Sequence, residues 1–581
     1  MEKRWLISRT NPEYIRYISK AASISPALAQ ILIKRGLKTP GEINDFLNPR
    51  ISDLSDPFEL PGVKTAVERI KHAVSRNETV LVHGDYDADG LTATAIMVHI
   101  LRKLGLNVHY FIPNRIAHGY GFSPAAVKNA KELGASLIIT VDCGITSFEA
   151  VSYAGQEGID VIITDHHEPV SSRQYLVNSE QSDYPLNTIH YSLPDAVAVI
   201  NPKLLTFNSK LSALSGAGVA FKIAQGLDSA FQTDYSYSML DLAAIGTMAD
   251  VVQLTGENRV IVKEGLKLIH EGQRQGLKTL KSIAGIDNRE LRAELLSFTL
   301  IPRINAAGRL DDSRDVVRLL LSDIEEESAE LGSWLDRLNS DRQKLDEEVY
   351  QEALSKLDTK GIDSVIVLSG EGWHQGVVGI VASRLAEKFY RPAFIFSVEN
   401  GIAKGSARSI PSFDLCKGLS ECNELLLTFG GHKQAAGIRL KAENLPDFEN
   451  AINKIIKISL TDDDFIPCLG IDADIPLSEA NHSLIKELAM LEPLGYGNEE
   501  PFLGSKKLEV VKPRIVGNNH LKMRLKQGSQ TIDAIGFDMG GPPWVADNPP
   551  DIVDAVFALT INEWERGRYL QLNLKALRPS R

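Results

Sequence analysis

Short apolar runs alternate with helix-period segments along the first 320 residues. Val80–Val82, Asn107–Ile112, Leu137–Val141 and Asp160–Thr164 are each of strand length. Between them, Thr65–His72 and Leu91–Leu104 carry apolar residues three to four apart, the spacing of an amphipathic helix, and Gly105 is placed to end the second. Strand, loop, helix and strand in repetition predict a parallel, doubly wound sheet. Its ligand site is expected in the crevice outside the carboxyl ends of the strands.

The pattern changes on either side of this block. Residues 1–50 read as a helical segment, with PALAQILIKRG at helical spacing and Gly36 as its stop. Asp323–Leu354 is charged, helical and almost free of breakers, so 321–360 is expected to be a long connecting helix with a solvated face. Residues 361–460 show a second α/β alternation, with a strand at Ser364–Leu368 and the helix GVVGIVASRLAEKF; Gly376 and Gly379 near its start are expected to leave N–H groups open to a phosphate. Residues 461–581 contain a helix at His482–Leu491, the loop EPLGYGNEEP and strand-like segments to Ala576. There Lys506–Gly528 carries seven basic residues against one acidic, which suits either a strand pair with a basic outer face or a small barrel of oligonucleotide-binding type.

Composition narrows the classes. A chain of 581 residues with 43% hydrophobic content can bury several cores. No run reaches the roughly 18 apolar residues of a membrane span and no signal pattern opens the chain, so a cytoplasmic protein is expected. The four cysteines form no CxxC pair, which supports neither a thiolate zinc site nor a disulfide framework. A net charge of -12 argues against indiscriminate coating of nucleic acid and leaves local basic clusters to decide the partner.

The acids at the strand ends are the candidate chemistry. HGDYDADG places His83, Asp85, Asp87 and Asp89 two apart after an apolar strand; in an extended segment such residues share one side, and converging carboxylates repel unless a cation lies among them. VDCGI ends a second strand at Asp142, and a third ends at Asp165-His166-His167. In LDLAAIGTMADVVQL, Asp250 stands between apolar runs, where an acid caps a turn or binds a partner. His83, Asp87, Asp89, Asp142, His166 and Asp250 form a set without thiolates that suits Mn²⁺ or Mg²⁺, and six candidates are enough for two ions.

DYDADG, VDCGI, TDHHEP and GTMADVV, in this order, resemble the motifs of the DHH phosphoesterase family. IPRINAAGRLDD, GWHQGVVGIVASRL, KGSARS and FGGHKQAAG narrow the resemblance to its RecJ branch, the bacterial single-strand-specific exonucleases, over about residues 50–580. Met248 and Gln253 depart from the Val and Pro of many relatives, a matter of packing. The resemblance implies a DHH catalytic domain over 51–320, a DHH-associated nucleic-acid clamp over 361–460 and an OB-type DNA-binding barrel over 461–581. It implies further that Asp87 and Asp89 hold separate ions, that Asp142 bridges them, that His83 completes one shell and that His166 with Asp250 completes the other. His167 is then the donor to the transition state, with Asp85 and Asp165 as orienting supports. Arg115, Arg309 and Ser406 are expected at a terminal 5' phosphate, and Arg408 and His432 along the DNA backbone. The activity implied is 5' to 3' hydrolysis of single-stranded DNA in recombination and repair, alongside a single-strand-binding protein and a RecQ-type helicase; a monomer is expected because the C-terminal domain needs no partner to close. A DHH enzyme acting on small molecules or short oligonucleotides, and an inactive DHH replication scaffold, are the alternatives.

Overall fold

Val80, Leu81 and Val82 lose all exposure at the centre of β1 (Thr79–Gly84). In the computed structural model, which describes residues 3–7, 9–114, 121–172, 190–205, 209–541, 550–564 and 567–580, β1 leads straight into α1 (Ala88–Lys103). The strands β2 (Asn107–Phe111), β3 (Leu137–Val141), β4 (Asp160–Thr164) and β5 (Ala198–Ile200) complete a five-stranded sheet in the order β2-β1-β3-β4-β5. Every neighbouring pair is parallel, as the alternation predicts. After β1 the chain steps to one side and then returns to the other, so the switch point lies between β1 and β3.

α1 is buried on nearly all faces, because α2 (Gly216–Phe231) and α3 (Leu240–Ala249) pack on it. α4 (Gly256–Glu271) and α5 (Ala293–Leu310) follow. These elements belong to one compact unit, Asp45–Asn339, which also takes in the distant loop Leu491–Glu499. Arg259 of α4, 1% exposed, holds that loop by donating to the carbonyls of Leu491, Glu492 and Phe46 at 2.7 to 2.8 Å. Leu254 N–H donates to Tyr496 O at 2.8 Å.

The second unit comprises Met1–Asn44, Ser340–Met490 and Glu500–Arg581. Its N-terminal part is not purely helical as expected: Arg4–Ile7 is a strand, paired in parallel with Cys468–Ile471. The connecting helix is α6 (Glu325–Lys360), and its charges are not only solvated. Arg384 bonds Asp346 and Glu347 at 3.2 and 2.9 Å and lies 3.6 Å above the Tyr350 ring. The strands β6 (Ile366–Glu371), β7 (Ala393–Glu399), β8 (Ile402–Arg408), β9 (Leu426–Gly431) and β10 (Ala435–Lys441) form a sheet in the order β9-β10-β8-β7-β6. Only β6 and β7, joined through α7 (Val378–Phe389), are parallel.

The strands β11 (Leu503–Val516), β12 (His520–Gln527), β13 (Gln530–Gly536), β14 (Ile552–Trp564) and β15 (Gly567–Pro579) close into a five-stranded barrel through β11–β14 pairing. This is the OB-like barrel that the C-terminal alternation suggests. Among the described residues no helix is long and apolar enough to cross a membrane.

Candidate metal centre

The acids of HGDYDADG converge, but not on an extended segment as their spacing implies. β1 stops at Gly84 and α1 starts at Ala88, so Asp85 and Asp87 lie in a turn while Asp89 is in the first helical turn. Asp87 causes the break: its Oδ1 accepts from Asp89 N–H and Gly90 N–H at 3.0 and 3.1 Å, an N-cap. Asp89, 1% exposed, is held in turn by the N-terminus of α2, its oxygens accepting from Gly216 N–H (2.6 Å) and Ala217 N–H (2.9 Å). Ser215 caps that helix through Gly218 N–H at 3.1 Å. The anchoring helix escaped the sequence reading, although Ser215 before Gly216-Ala217-Gly218 is a start signal beside which backbone can come close.

Asp142 follows β3 with φ 59°, a left-handed conformation that a non-glycine residue adopts at a cost and that marks functional turns. Asp165 follows β4 and organises the two histidines. Its Oδ1 accepts from the backbone N–H groups of His166 and His167 at 2.7 and 3.0 Å and meets His167 Nδ1 at 2.7 Å; its Oδ2 accepts from Ile145 N–H at 2.9 Å. Asp250 ends α3. Next to it, Val251 has φ 43° and is 71% exposed, a strained position for a β-branched residue.

These elements bring His166 Nε2 to 3.0 Å from Asp142 Oδ1, 3.4 Å from Asp250 Oδ2 and 3.9 Å from Asp89 Oδ2. Around an octahedral ion with bonds of about 2.1 Å, adjacent ligand atoms stand about 3 Å apart, so the spacing fits a shared cation. Oδ1 of Asp142 and Oδ2 of Asp250 are buried without a hydrogen-bond partner, as metal-facing atoms are. Three overlapping groups result: Asp85, Asp87 and Asp142; Asp89, His166 and Asp250; and Asp142, His166 and His167. Asp142 is common to two of them. Asp85, read from sequence as an orienting support, and His167, read as the transition-state donor, thus stand beside the ligand atoms themselves. His83 falls outside the groups; its ring lies between Phe111 and Phe122, at centroid distances of 5.5 and 5.2 Å.

The electrostatics follow from crowding. Burial, with the charge of Asp87 behind it, raises Asp89 to about 7 against the pull of the α2 amides. Burial and the charges of Asp89 and Asp87 raise Asp250 to about 8, and burial with four neighbouring carboxylates raises Asp142 well above its ordinary value. Burial lowers His83 to about 4. Burial also opposes charge on His167, but the hydrogen bond and charge of Asp165 overcome it and raise the imidazole to about 9. A cluster of acids that resist ionisation next to a histidine that keeps its proton is poised for a divalent cation and an anionic substrate.

Of the expected phosphate contacts, Arg115 lies outside the described residues. Arg309 is in the last turn of α5, half-buried. In the second unit, Arg408 Nη1 donates to Ser406 Oγ at 3.1 Å, and a side chain on Gly379 of α7 would begin 3.0 Å from that oxygen. Gly376 does not offer an open N–H as expected, since His374 Nδ1 accepts it at 3.0 Å. His432 is exposed in the β9–β10 turn.

Comparison with known proteins extends these observations over the whole chain. Residues 79–247 match the DHH family N-terminal domain, 363–458 the DHHA1 domain and 471–576 the RecJ OB domain. The single-stranded-DNA-specific exonuclease RecJ of Bacillus subtilis is 39% identical over 98% of this chain and 70% of its own length; that of Escherichia coli is 35% identical over 96% of each. A crystal structure of Thermus thermophilus RecJ in complex with Mn²⁺ superposes with a TM-score of 0.84 at 31% identity, covering 99% of this chain and 79% of that one. Three matched domains, identity along nearly the entire chain and a shared fold have one reading: the chain belongs to the RecJ exonuclease family.

Proposed function

We propose that the protein is a metal-dependent exonuclease that hydrolyses single-stranded DNA from the 5' end, with two Mn²⁺ or Mg²⁺ ions as cofactors. The observation that carries this reading is the ring of three carboxylate oxygens around His166 Nε2, with Asp85 and Asp87 grouped with the same Asp142. Solved relatives in complex with Mn²⁺ and Mg²⁺ support the choice of cations. When bound, such a pair of ions activates water and offsets charge in phosphoester cleavage.

The protein's own groups do the rest. Asp87 and Asp89 would hold one ion each, with Asp142 shared, His83 completing the shell on the Asp87 side, and His166 and Asp250 on the Asp89 side. His167, whose imidazole the bond and charge of Asp165 hold toward the protonated form, would donate to a non-bridging phosphate oxygen as charge develops. Asp165 also fixes both imidazoles through its backbone contacts, so its loss would disturb a ligand and a donor together. Arg115, Arg309 and Ser406 are the proposed holders of the terminal 5' phosphate, and Arg408 and His432 the backbone contacts. A dianionic end group accepts more charge-assisted hydrogen bonds than an internal diester, which would set the polarity.

Single-stranded DNA is the proposed partner, with a single-strand-binding protein and a RecQ-type helicase as cellular associates of a monomer. The test is digestion of end-labelled single strands, duplexes and dinucleotides with Mn²⁺. Rapid loss of single strands alone supports the reading; preference for dinucleotides, or inactivity of a folded, metal-loaded protein, would replace it with a small-substrate phosphoesterase or a scaffold.

A further inference from the structure

α5 presses two groups onto the metal loop. Asn305 Oδ1 accepts the N–H of Ala88 at 2.9 Å. Ala88 is the first residue of α1, whose initial N–H groups have no partner within the helix. Asp87 caps the next two donors, Asp89 N–H and Gly90 N–H, so Asn305 supplies the acceptor that the cap does not. Three residues along the same face of α5, Gly308 has no space for a side chain: a Cβ there would lie 2.3 Å from Tyr86 O. The residues on both sides of Asp87 are therefore held from α5, at Tyr86 by close packing and at Ala88 by a hydrogen bond.

We infer that Asn305, with Gly308 beside it, is a positioning residue that sets the separation of Asp87 and Asp89 and hence the affinity of the site for its cations. The inference rests on the metal-centre reading given above. A neutral acceptor suits the place, because a carboxylate would add charge next to Asp87 and Asp89, which flank Ala88. Truncation would leave the Ala88 donor unmet and free the loop.

Hydrogen exchange on the metal-free protein reads this directly, and calorimetric Mn²⁺ titration reads its consequence. In Asn305→Ala, Ala88 N–H should exchange about tenfold faster and Mn²⁺ affinity should fall by about as much, the order expected for one lost hydrogen bond. Turnover should fall while KM for the DNA strand stays near wild type. Asn305→Asp keeps the acceptor and should restore slow exchange at Ala88. Gly308→Ala should weaken Mn²⁺ binding by displacing Tyr86, which covers the case of a poorly folding Asn305→Ala. Ser297→Ala removes a side-chain hydrogen bond elsewhere in α5 and should change neither readout. Wild-type Ala88 exchange and Mn²⁺ affinity in folded Asn305→Ala would overturn the inference alone; a wild-type protein that binds no Mn²⁺ would overturn the metal reading beneath it.

Discussion

Gly216→Ala isolates the packing that holds the metal ligands. Gly216 opens α2, and its N–H donates to Asp89 while its Cα faces Asp142. A methyl group there would begin 2.5 Å from Asp142 Cβ, 2.6 Å from Oδ1 and 2.7 Å from Cγ. Carbon contacts settle near 3.5 to 4.0 Å, so one partner must retreat by about 1 Å. Asp142 cannot yield freely, because it is buried and already at φ 59°. By helix propensity alone the change should stabilise by up to about 1 kcal/mol; overpacking of a filled site costs about 1 to 3 kcal/mol and should win. A shift of about 1 Å is large against a metal bond of about 2.1 Å, and misplacement of that size costs on the order of 100-fold in rate. Thermal melting, Mn²⁺ titration and single-strand digestion should therefore show a lower melting temperature, weaker metal binding and a turnover loss of about two decades. A variant that melts higher than wild type with normal Mn²⁺ affinity would refute the placement of Asp142 against α2.

Further outcomes follow from the same geometry. Asp142→Ala should abolish hydrolysis and spare single-strand binding; retention of more than about a tenth of turnover, a barrier change below ~1.4 kcal/mol, would contradict a shared ligand. Asp89 and Asp250, raised to about 7 and about 8, bind protons more tightly in the folded metal-free protein than in the unfolded chain at about 3.9. Their contribution to metal-free stability therefore falls as pH rises from about 4 through 8, and Mn²⁺ should expel protons at pH 7 and raise the melting temperature more at pH 8.5 than at pH 6. Calorimetric heats of Mn²⁺ binding that do not depend on the ionisation enthalpy of the buffer would argue against this. Arg309→Ala should slow digestion of 5'-phosphorylated strands more than of 5'-hydroxyl strands, by about 1.5 to 3 kcal/mol for a charged hydrogen bond, whereas equal losses would remove it from the phosphate site. Truncation after Glu500 should weaken binding of long single strands and flatten its salt dependence, and unchanged affinity would clear the barrel of a binding role. The cut is placed there because Leu491–Glu499 belongs to the first unit.

The acids at the ends of β3, β4 and α3 were legible because their apolar flanks could not explain them. Asp142, Asp165 and Asp250 stand where composition makes a carboxylate costly; Asp142 and Asp250 lie in the metal-ligand groups, and Asp165 is bonded to His167 beside them. What holds them was not legible. The amides of Gly216 and Ala217 reach Asp89 across more than a hundred residues, and periodicity carries no information about such contacts. Arg4–Ile7 falls in a segment read as helical, because a four-residue edge strand depends on its partner, Cys468–Ile471. The basic run Lys506–Gly528 also reads differently in the fold. Lys506, Arg524 and Lys526 pair with Asp474, Asp533 and Glu509, so charge counted along the chain overstates what the barrel offers a phosphate backbone.

An anomalous difference map from crystals grown with Mn²⁺ tests the central claim most directly. Two peaks about 3.5 to 4 Å apart are predicted, one beside Asp87 and Asp142 and the other among Asp89, Asp142, His166 and Asp250. A single peak, or peaks away from Asp142, would contradict a two-ion centre built on that shared carboxylate.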